Sequence, residues 1–407
     1  MFYNYVGGIM ERIIFHIDVN NAFLSWSAVK LLKEGYPIDI RNIPSIIAGD
    51  ETKRHGVVLA KSPVAKKFGI VTAETIYSAK KKCPFLKIFP PDMAYYKKMS
   101  NLLIEYISRF SPTLEQFSID ECFLDLTGTN YLYDDIIALA YKMKDEIYAQ
   151  FGFTVNIGIA NNKLLAKMAS DFEKPNKVHT LFDTEIESKF FPLPLEDLFM
   201  VGKKTASKLR TLGFTTIGSI ANSDQNLLIK EFKSLGKEIY EHACGIDLTE
   251  VDSSLSLNKS ISVSLTLPYD TDDIDVLKKV LRKQIDEVGR NLRKQGLYAS
   301  VVTVTFKTRD FVSYSKQMSL SRPISSNEDI YDTVIKILYN AWNFEKIRNI
   351  GIRLSKFTDK KVERIDLFTD SVENNLEKEK FQAAIDKIKD KYGSDIINPA
   401  FLLEDDK

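Results

Sequence analysis

Cysteine is scarce: Cys83, Cys122 and Cys244 are the only three in 407 residues, and no CxxC spacing occurs. That excludes a disulfide framework, argues against a structural zinc site and fits a reducing cytoplasm. Cys122 reads as a small buried thiol rather than a ligand. Histidine is nearly as rare, and His16, His55, His179 and His242 form no pair at helical spacing and no nucleophile–base dyad. No apolar run approaches the ~20 residues needed to span a bilayer, and no signal-peptide pattern is present, so no membrane partner is expected. Net charge is also almost absent, at +1. Apolar content of 44% and charged content of 27% are ordinary for a soluble globular chain. The length predicts two to four domains.

The small net charge hides an uneven distribution. Residues 23–91 carry twelve basic against five acidic residues, and 259–360 carry eighteen against twelve. The tail after 360 is acidic. Two basic modules around a near-neutral body suit a protein that grips a phosphate backbone locally.

The segment Phe117-Ser118-Ile119-Asp120-Glu121-Cys122-Phe123-Leu124-Asp125 places two adjacent carboxylates in an apolar, strand-like run. Neighbouring strand residues point to opposite faces, so one carboxylate would enter the core, where an unpaired charge costs several kcal/mol. Asp120 and Glu121 can share one polar site only if the backbone bends there. Carboxylates converging at a bent strand end suit a hard cation, with Mg²⁺ the usual occupant. A third carboxylate, Asp18, ends the β-rich run Arg12–Ile17, and a helix opens just after it, near Phe23.

A strand ending in Asp, an aromatic five residues on, and a later Ser-Ile-Asp-Glu together resemble the Y-family translesion DNA polymerases, in their bacterial DinB branch. Further segments match in order: Gly56–Gly69 resembles the fingers segment, Asn156–Asp171 the palm helix motif, and Lys174-Pro175-Asn176 the triphosphate-binding lysine motif. The resemblance spans about residues 12–368.

It implies an α+β, multidomain right-hand polymerase. Residues 11–22 and 92–182 would be the palm, 23–91 small fingers, 183–250 a helix-hairpin-helix thumb, and 251–258 a polar linker. A four-stranded α+β little finger would occupy 259–360, with strands at 260–267, 299–307, 312–319 and 350–357 and helices near 274–295 and 327–341. The tail, 361–407, contains Arg364-Ile365-Asp366-Leu367-Phe368, which resembles a sliding-clamp peptide with Ile365, Leu367 and Phe368 as apolar anchors. A charged helix is expected at 373–391. The sequence leaves Met1 and Met10 both open as the translation start, since Gly7-Gly8-Ile9-Met10 is what a translated ribosome-binding sequence just upstream of a start codon would yield.

The resemblance also implies the chemistry. Phosphoryl transfer requires alignment and charge neutralisation. Two Mg²⁺ ions, with Mn²⁺ as an alternative, would be held by Asp18 and Asp120 together, with Glu121 serving the ion at the primer 3′-hydroxyl and the carbonyl of Val19 the ion at the nucleotide. Phe23 stands at the steric-gate position that selects dNTPs over NTPs. Lys174 would contact the triphosphate. In the fingers, Ala60, Pro63 and Lys66 replace the common Thr, Tyr and Arg, so Lys66 supplies charge without a bidentate fork and Lys61 adds a second charge. Leu59 stands where a smaller residue usually covers the nascent base pair. Gly202, Lys203 and Lys204 would hold a DNA phosphate, although Met200 replaces the first of two usual glycines. Asn20 replaces an Asp that is not normally a ligand, and activity is expected to survive. The implied partners are primer–template DNA, dNTPs and the β-type sliding clamp, for a cytoplasmic, nucleoid-associated monomer. No second acidic cluster suggests a proofreading exonuclease, so low fidelity is expected.

Two other readings exist. A catalytically silent clamp-tethered adaptor should have lost one of Asp18, Asp120 and Glu121, and all three are present. A nuclease or cyclase would share the carboxylates but leave the thumb, little finger and clamp motifs unexplained.

Overall fold

Strand β1, Ile14–Val19, is central to its sheet and nearly all buried, as an apolar strand flanked on both edges must be. The computed structural model describes residues 12–50, 56–254, 259–359, 372–393 and 396–397. These fall into two compact units, one before residue 255 and one after 258. Among the described residues no helix is long and apolar enough to cross a membrane.

In the first unit, β2 (Ser45–Ala48), β3 (Val58–Lys61) and β4 (Lys87–Phe89) form a small sheet in the order β3-β2-β4. The main sheet joins β1 to β5 (Leu114–Gln116), β6 (Glu121–Asp125), β7 (Val155–Ala160) and β8 (Val178–Thr180) in the order β5-β6-β1-β7-β8. The period of two decides which side chain goes where. Phe15, Ile17 and Val19 enter a core with Trp26, Tyr96, Leu103, Met143 and Ile147, contributed by helices Ala22–Lys33, Met93–Ile107 and Ile136–Phe151. Ile14 and Phe123 face the other side, where helix Lys163–Asp171 lies and whose core continues into residues 190–251. His16, Asp18 and Glu121 have the same parity as Ile14 and Phe123, so they share that second face. Helix Lys163–Asp171 starts where Asn162 Oδ1 accepts from the Leu165 N–H at 2.8 Å, a side-chain N-cap. It can lie close to β7 because residue 158 is glycine: a Cβ there would sit 2.0 Å from the Ala166 carbonyl oxygen.

Beyond this face follow helices Lys203–Thr211, Ile217–Ala221, Gln225–Phe232 and Ser234–Ala243, short elements as the glycine-punctuated sequence predicts.

The second unit is an antiparallel sheet of β9 (Ser260–Thr271), β10 (Tyr298–Thr308), β11 (Ser313–Ile324) and β12 (Ile347–Thr358), ordered β11-β10-β12-β9. Helices Ile274–Lys294 and Asn327–Ala341 supply Leu277, Leu281, Ile285, Val334 and Ile337 to its core. The expected two helices and four strands are all found; β9 and β11 run on four and five residues past their predicted ends, β12 starts three residues early, and the other ends agree to within one residue. A further helix, Val372–Tyr392, docks on this unit through Arg293 to Asp386, at 2.6 and 2.9 Å, and Lys389 to Asp286, at 2.7 Å. Ile365, Leu367 and Phe368 lie outside the described residues.

Candidate active site

The bend required between Asp120 and Glu121 is present. Strand β6 begins at Glu121, and residues 118–120 form a bend in which the Phe117 and Ser118 N–H groups both donate to the Glu121 carbonyl at 3.1 Å. Asp18 is the register partner of Glu121 across β1 and β6, and the next N–H along β1, that of Val19, donates to the Asp120 carbonyl at 2.9 Å. Ser118 Oγ donates to Asp120 Oδ1 at 2.7 Å and fixes that carboxylate. The sheet thus brings Asp18, Val19, Asp120 and Glu121 to one end of two adjacent strands.

Cations of the chain already lean on these carboxylates. Lys174 contacts Asp18 and also pairs with Asp171 at 2.7 Å. Burial raises the Asp18 carboxyl above its usual range, and Lys174 only partly offsets this. Glu121 Oε2 receives both Lys167 Nζ and His16 Nε2, the latter at 3.1 Å. Burial alone would raise the Glu121 carboxyl, but these two hydrogen bonds and the Lys167 charge outweigh it and hold it at about 2. His16 itself is 1% exposed, and burial pushes its imidazole down toward the neutral form. A carboxylate only accepts, so Nε2 carries a proton toward Glu121, while Nδ1 lies 2.7 Å from Ser170 Oγ, whose hydroxyl also lies 2.7 Å from the Lys167 carbonyl. Among the described residues no three acidic, histidine or cysteine side chains stand close enough to hold an ion as they are placed. The donor set nevertheless fits a hard divalent cation. It is all oxygen, the imidazole beside it (His16) is engaged through Nε2 with Glu121 Oε2, and the desolvated Asp18 charge is only partly neutralised by Lys174.

His16 and the asparagine pair Asn20–Asn156 were not singled out as functional from sequence. A histidine two residues before Asp18 in an apolar strand was the available signal for the first, since period two puts it on the same face. Asn20 Nδ2 donates to Asn156 Oδ1 at 3.1 Å, and Asn20 Oδ1 accepts from the Asn176 N–H at 2.8 Å. Asn156, fully buried, donates to the Ser170 and Glu173 carbonyls at 2.9 and 2.7 Å. This network ties the loop carrying Lys174 to β1 and β7. Asn20 is thus a donor within the scaffold, which an Asp could not be.

Phe23 lies in the first turn of helix Ala22–Lys33, half-buried, its ring stacked on Tyr96 at 4.7 Å and 11°. Tyr96 is held by a 2.6 Å hydrogen bond with Ser27. Asn21 Nδ2 donates to the Lys61 carbonyl at 2.7 Å, bringing the end of β3 to the start of this helix. Lys61 Nζ donates to Thr72 Oγ1 at 3.1 Å. Burial and the nearby Lys66 charge push the Lys61 ammonium down, and an anion between the two would relieve that repulsion. Pro63 begins helix Pro63–Lys67 behind the Ser62 cap, a position where a missing N–H costs nothing. Leu59 is partly exposed on β3.

Gly202 caps helix Lys203–Thr211, and Gly202, Lys203 and Lys204 are exposed. Met200 has φ 72°, a left-handed conformation that costs a non-glycine residue about 1–2 kcal/mol. The backbone therefore keeps the turn a glycine would make. A cleft of about 340 Å³ runs from this loop to Lys167 and Asp171. Lys167 Nζ lies 5.5 Å from the ring centres of both Phe117 and Phe199.

Residues 17–171 match the impB/mucB/samB family, and residues 258–367 match the C-terminal domain of that family. A DNA polymerase IV of Clostridium acetobutylicum is 42% identical over 97% of this chain and 99% of its own length. DNA polymerase IV 2 of Bacillus subtilis is 31% identical over 95% of this chain and 93% of its own. A solved chimeric Y-family DNA polymerase superposes with a TM-score of 0.74 at 24% identity, covering 84% of this chain and 98% of that one.

Proposed function

The chain belongs to the impB/mucB/samB family of Y-family DNA polymerases, and on that premise we propose that it is a template-directed translesion DNA polymerase of the DNA polymerase IV type. It extends a primer 3′-hydroxyl with dNTPs on a DNA template and releases pyrophosphate. The observation that carries the reading is the meeting of Asp18 and Glu121 across one register pair, with Asp120 tied to the same strand end.

In this reading Asp18, Asp120, the Val19 carbonyl and Glu121 hold divalent cations. When bound, these neutralise the triphosphate and favour ionisation of the 3′-hydroxyl. Ser118 keeps Asp120 in place. Lys174 releases part of its hold on Asp18 to bind a triphosphate oxygen, and Lys61 with Lys66 supplies charge on the fingers side. The Phe23 ring, braced from behind by Tyr96, closes the space a ribose 2′-hydroxyl would need. Gly202, Lys203 and Lys204 hold a backbone phosphate. Ile365, Leu367 and Phe368 dock the monomer to a sliding clamp. The silent-adaptor alternative is disfavoured, because all three carboxylates and both lysines that face them are retained.

Primer extension on an undamaged template tests this. Wild type should extend with dNTPs in Mg²⁺, and Asp120→Ala should lose at least ~10³-fold of the rate. Wild type that fails in both Mg²⁺ and Mn²⁺ would return the adaptor reading to the lead.

A further inference from the structure

We propose that His16, backed by Ser170, is a positioning residue that decides which oxygen Glu121 presents to the primer-side cation and thereby sets how tightly that cation binds. The inference rests on the polymerase reading above.

His16 lies on the same face of the sheet as Asp18 and Glu121, one pleat deeper than Asp18. It is shut off from solvent and packs against Phe123 at 4.7 Å. Its two nitrogens are both engaged, Nδ1 with Ser170 Oγ at 2.7 Å and Nε2 with Glu121 Oε2 at 3.1 Å. The ring cannot turn without breaking both contacts. Lys167, from the same helix as Ser170, reaches the same oxygen, Oε2. Among the described residues every hydrogen bond to the Glu121 side chain therefore falls on Oε2. The two donors fix the rotation of the carboxylate and leave Oε1 as the oxygen that faces a ligand.

The two donors are not equivalent. Lys167 has a long flexible stem and stands against Phe117 and Phe199 at the edge of the cleft. His16 is rigid and wholly enclosed, so orientation comes mainly from the histidine and charge mainly from the lysine. A partner of a metal-binding side chain placed in this way typically changes cation affinity by about 10–100-fold when removed.

The test uses the full chain bound to a dideoxy-terminated primer–template and the matching dNTP, so that no chemistry occurs. Mn²⁺ binding is followed by electron paramagnetic resonance in wild type, His16→Ala and His16→Gln. Extension on an ordinary primer and thermal melting run in parallel. One of the two Mn²⁺ sites should lose about tenfold in affinity in His16→Ala. The Mg²⁺ concentration for half-maximal extension should rise by a similar factor, while the KM for dNTP stays within about twofold. His16→Gln, which keeps an N–H donor, should recover most of the loss. Wild-type Mn²⁺ affinity in His16→Ala would overturn the proposal, whatever happened to rate or melting. Equal losses in the Ala and Gln variants would also overturn it, because the donor would then be irrelevant. Wild type that neither binds Mn²⁺ nor extends would sink the polymerase reading, and this inference with it.

Discussion

Phe23 is a half-buried aromatic held by a stacked neighbour, not a residue lost in the core. Its ring has an immobile partner in Tyr96, whose hydroxyl is itself held by Ser27. A wall of that kind discriminates by overlap, and overlap is removed by truncation. Phe23→Ala should raise NTP incorporation relative to dNTP by roughly 10²-fold in single-nucleotide extension. Unchanged discrimination would mean that another side chain does the sorting. Truncation leaves Tyr96 in place, so overall folding should change little more than a partly buried ring requires. The fingers substitutions belong to the same scale. Pro63 serves as the first residue of a short helix, and Lys66 and Lys61 stand close enough to repel.

At the scale of elements, the site depends on how near helix Lys163–Asp171 comes to β7. That helix delivers Lys167 and Ser170 to Glu121 and His16, and its packing leaves no room for a Cβ at residue 158. Gly158→Ala would force a backbone carbonyl away, against a core that cannot compress. We expect a loss of about 1–3 kcal/mol in denaturant unfolding, together with reduced extension, because the helix that moves carries the Glu121 partners. Full stability and activity in this variant would mean that the helix can shift without disturbing the site. The loop after the helix is held in another way, by side-chain amides, through the Asn20–Asn156 bridge and the Asn176 N–H.

At the scale of the whole molecule, charge is arranged by module. The near-zero total conceals basic segments at 23–91 and 259–360 and an acidic tail. Within the second unit part of that tail is tied down. Asp386 takes two hydrogen bonds from Arg293, and Lys389 reaches Asp286, all with little solvent exposure. Breaking an enclosed pair costs far more than breaking an exposed one. Asp386→Ala should therefore accelerate proteolysis within 372–393 by about tenfold or more, since cleavage tracks the detached population. Arg293 keeps Ser325 and Asn327 as partners, so the rest of the unit should melt unchanged. Equal cleavage rates in wild type and variant would show that the helix is held by something other than this pair.

Much of this was legible in the chain itself. Alternating and continuous apolar runs located β1, β6, β7 and the four strands of the second unit. Glycine-punctuated turns marked 183–250 as a run of short helices. The conflict of two neighbouring carboxylates in an apolar run predicted a bend before Glu121, and the order of the motifs pointed to the family. These features are local, set by periodicity of two or 3.6 and by the cost of burying charge. What only the tertiary structure decided is which distant groups neutralise those charges. Glu121 meets His16 across 105 residues and Lys167 across 46, and Asp18 meets Lys174 across 156. Asn20 meets Asn156 across 136. No spacing rule along the chain encodes such pairs. They follow from strand order and from one close helix–strand contact, which appear only when the sheet is assembled.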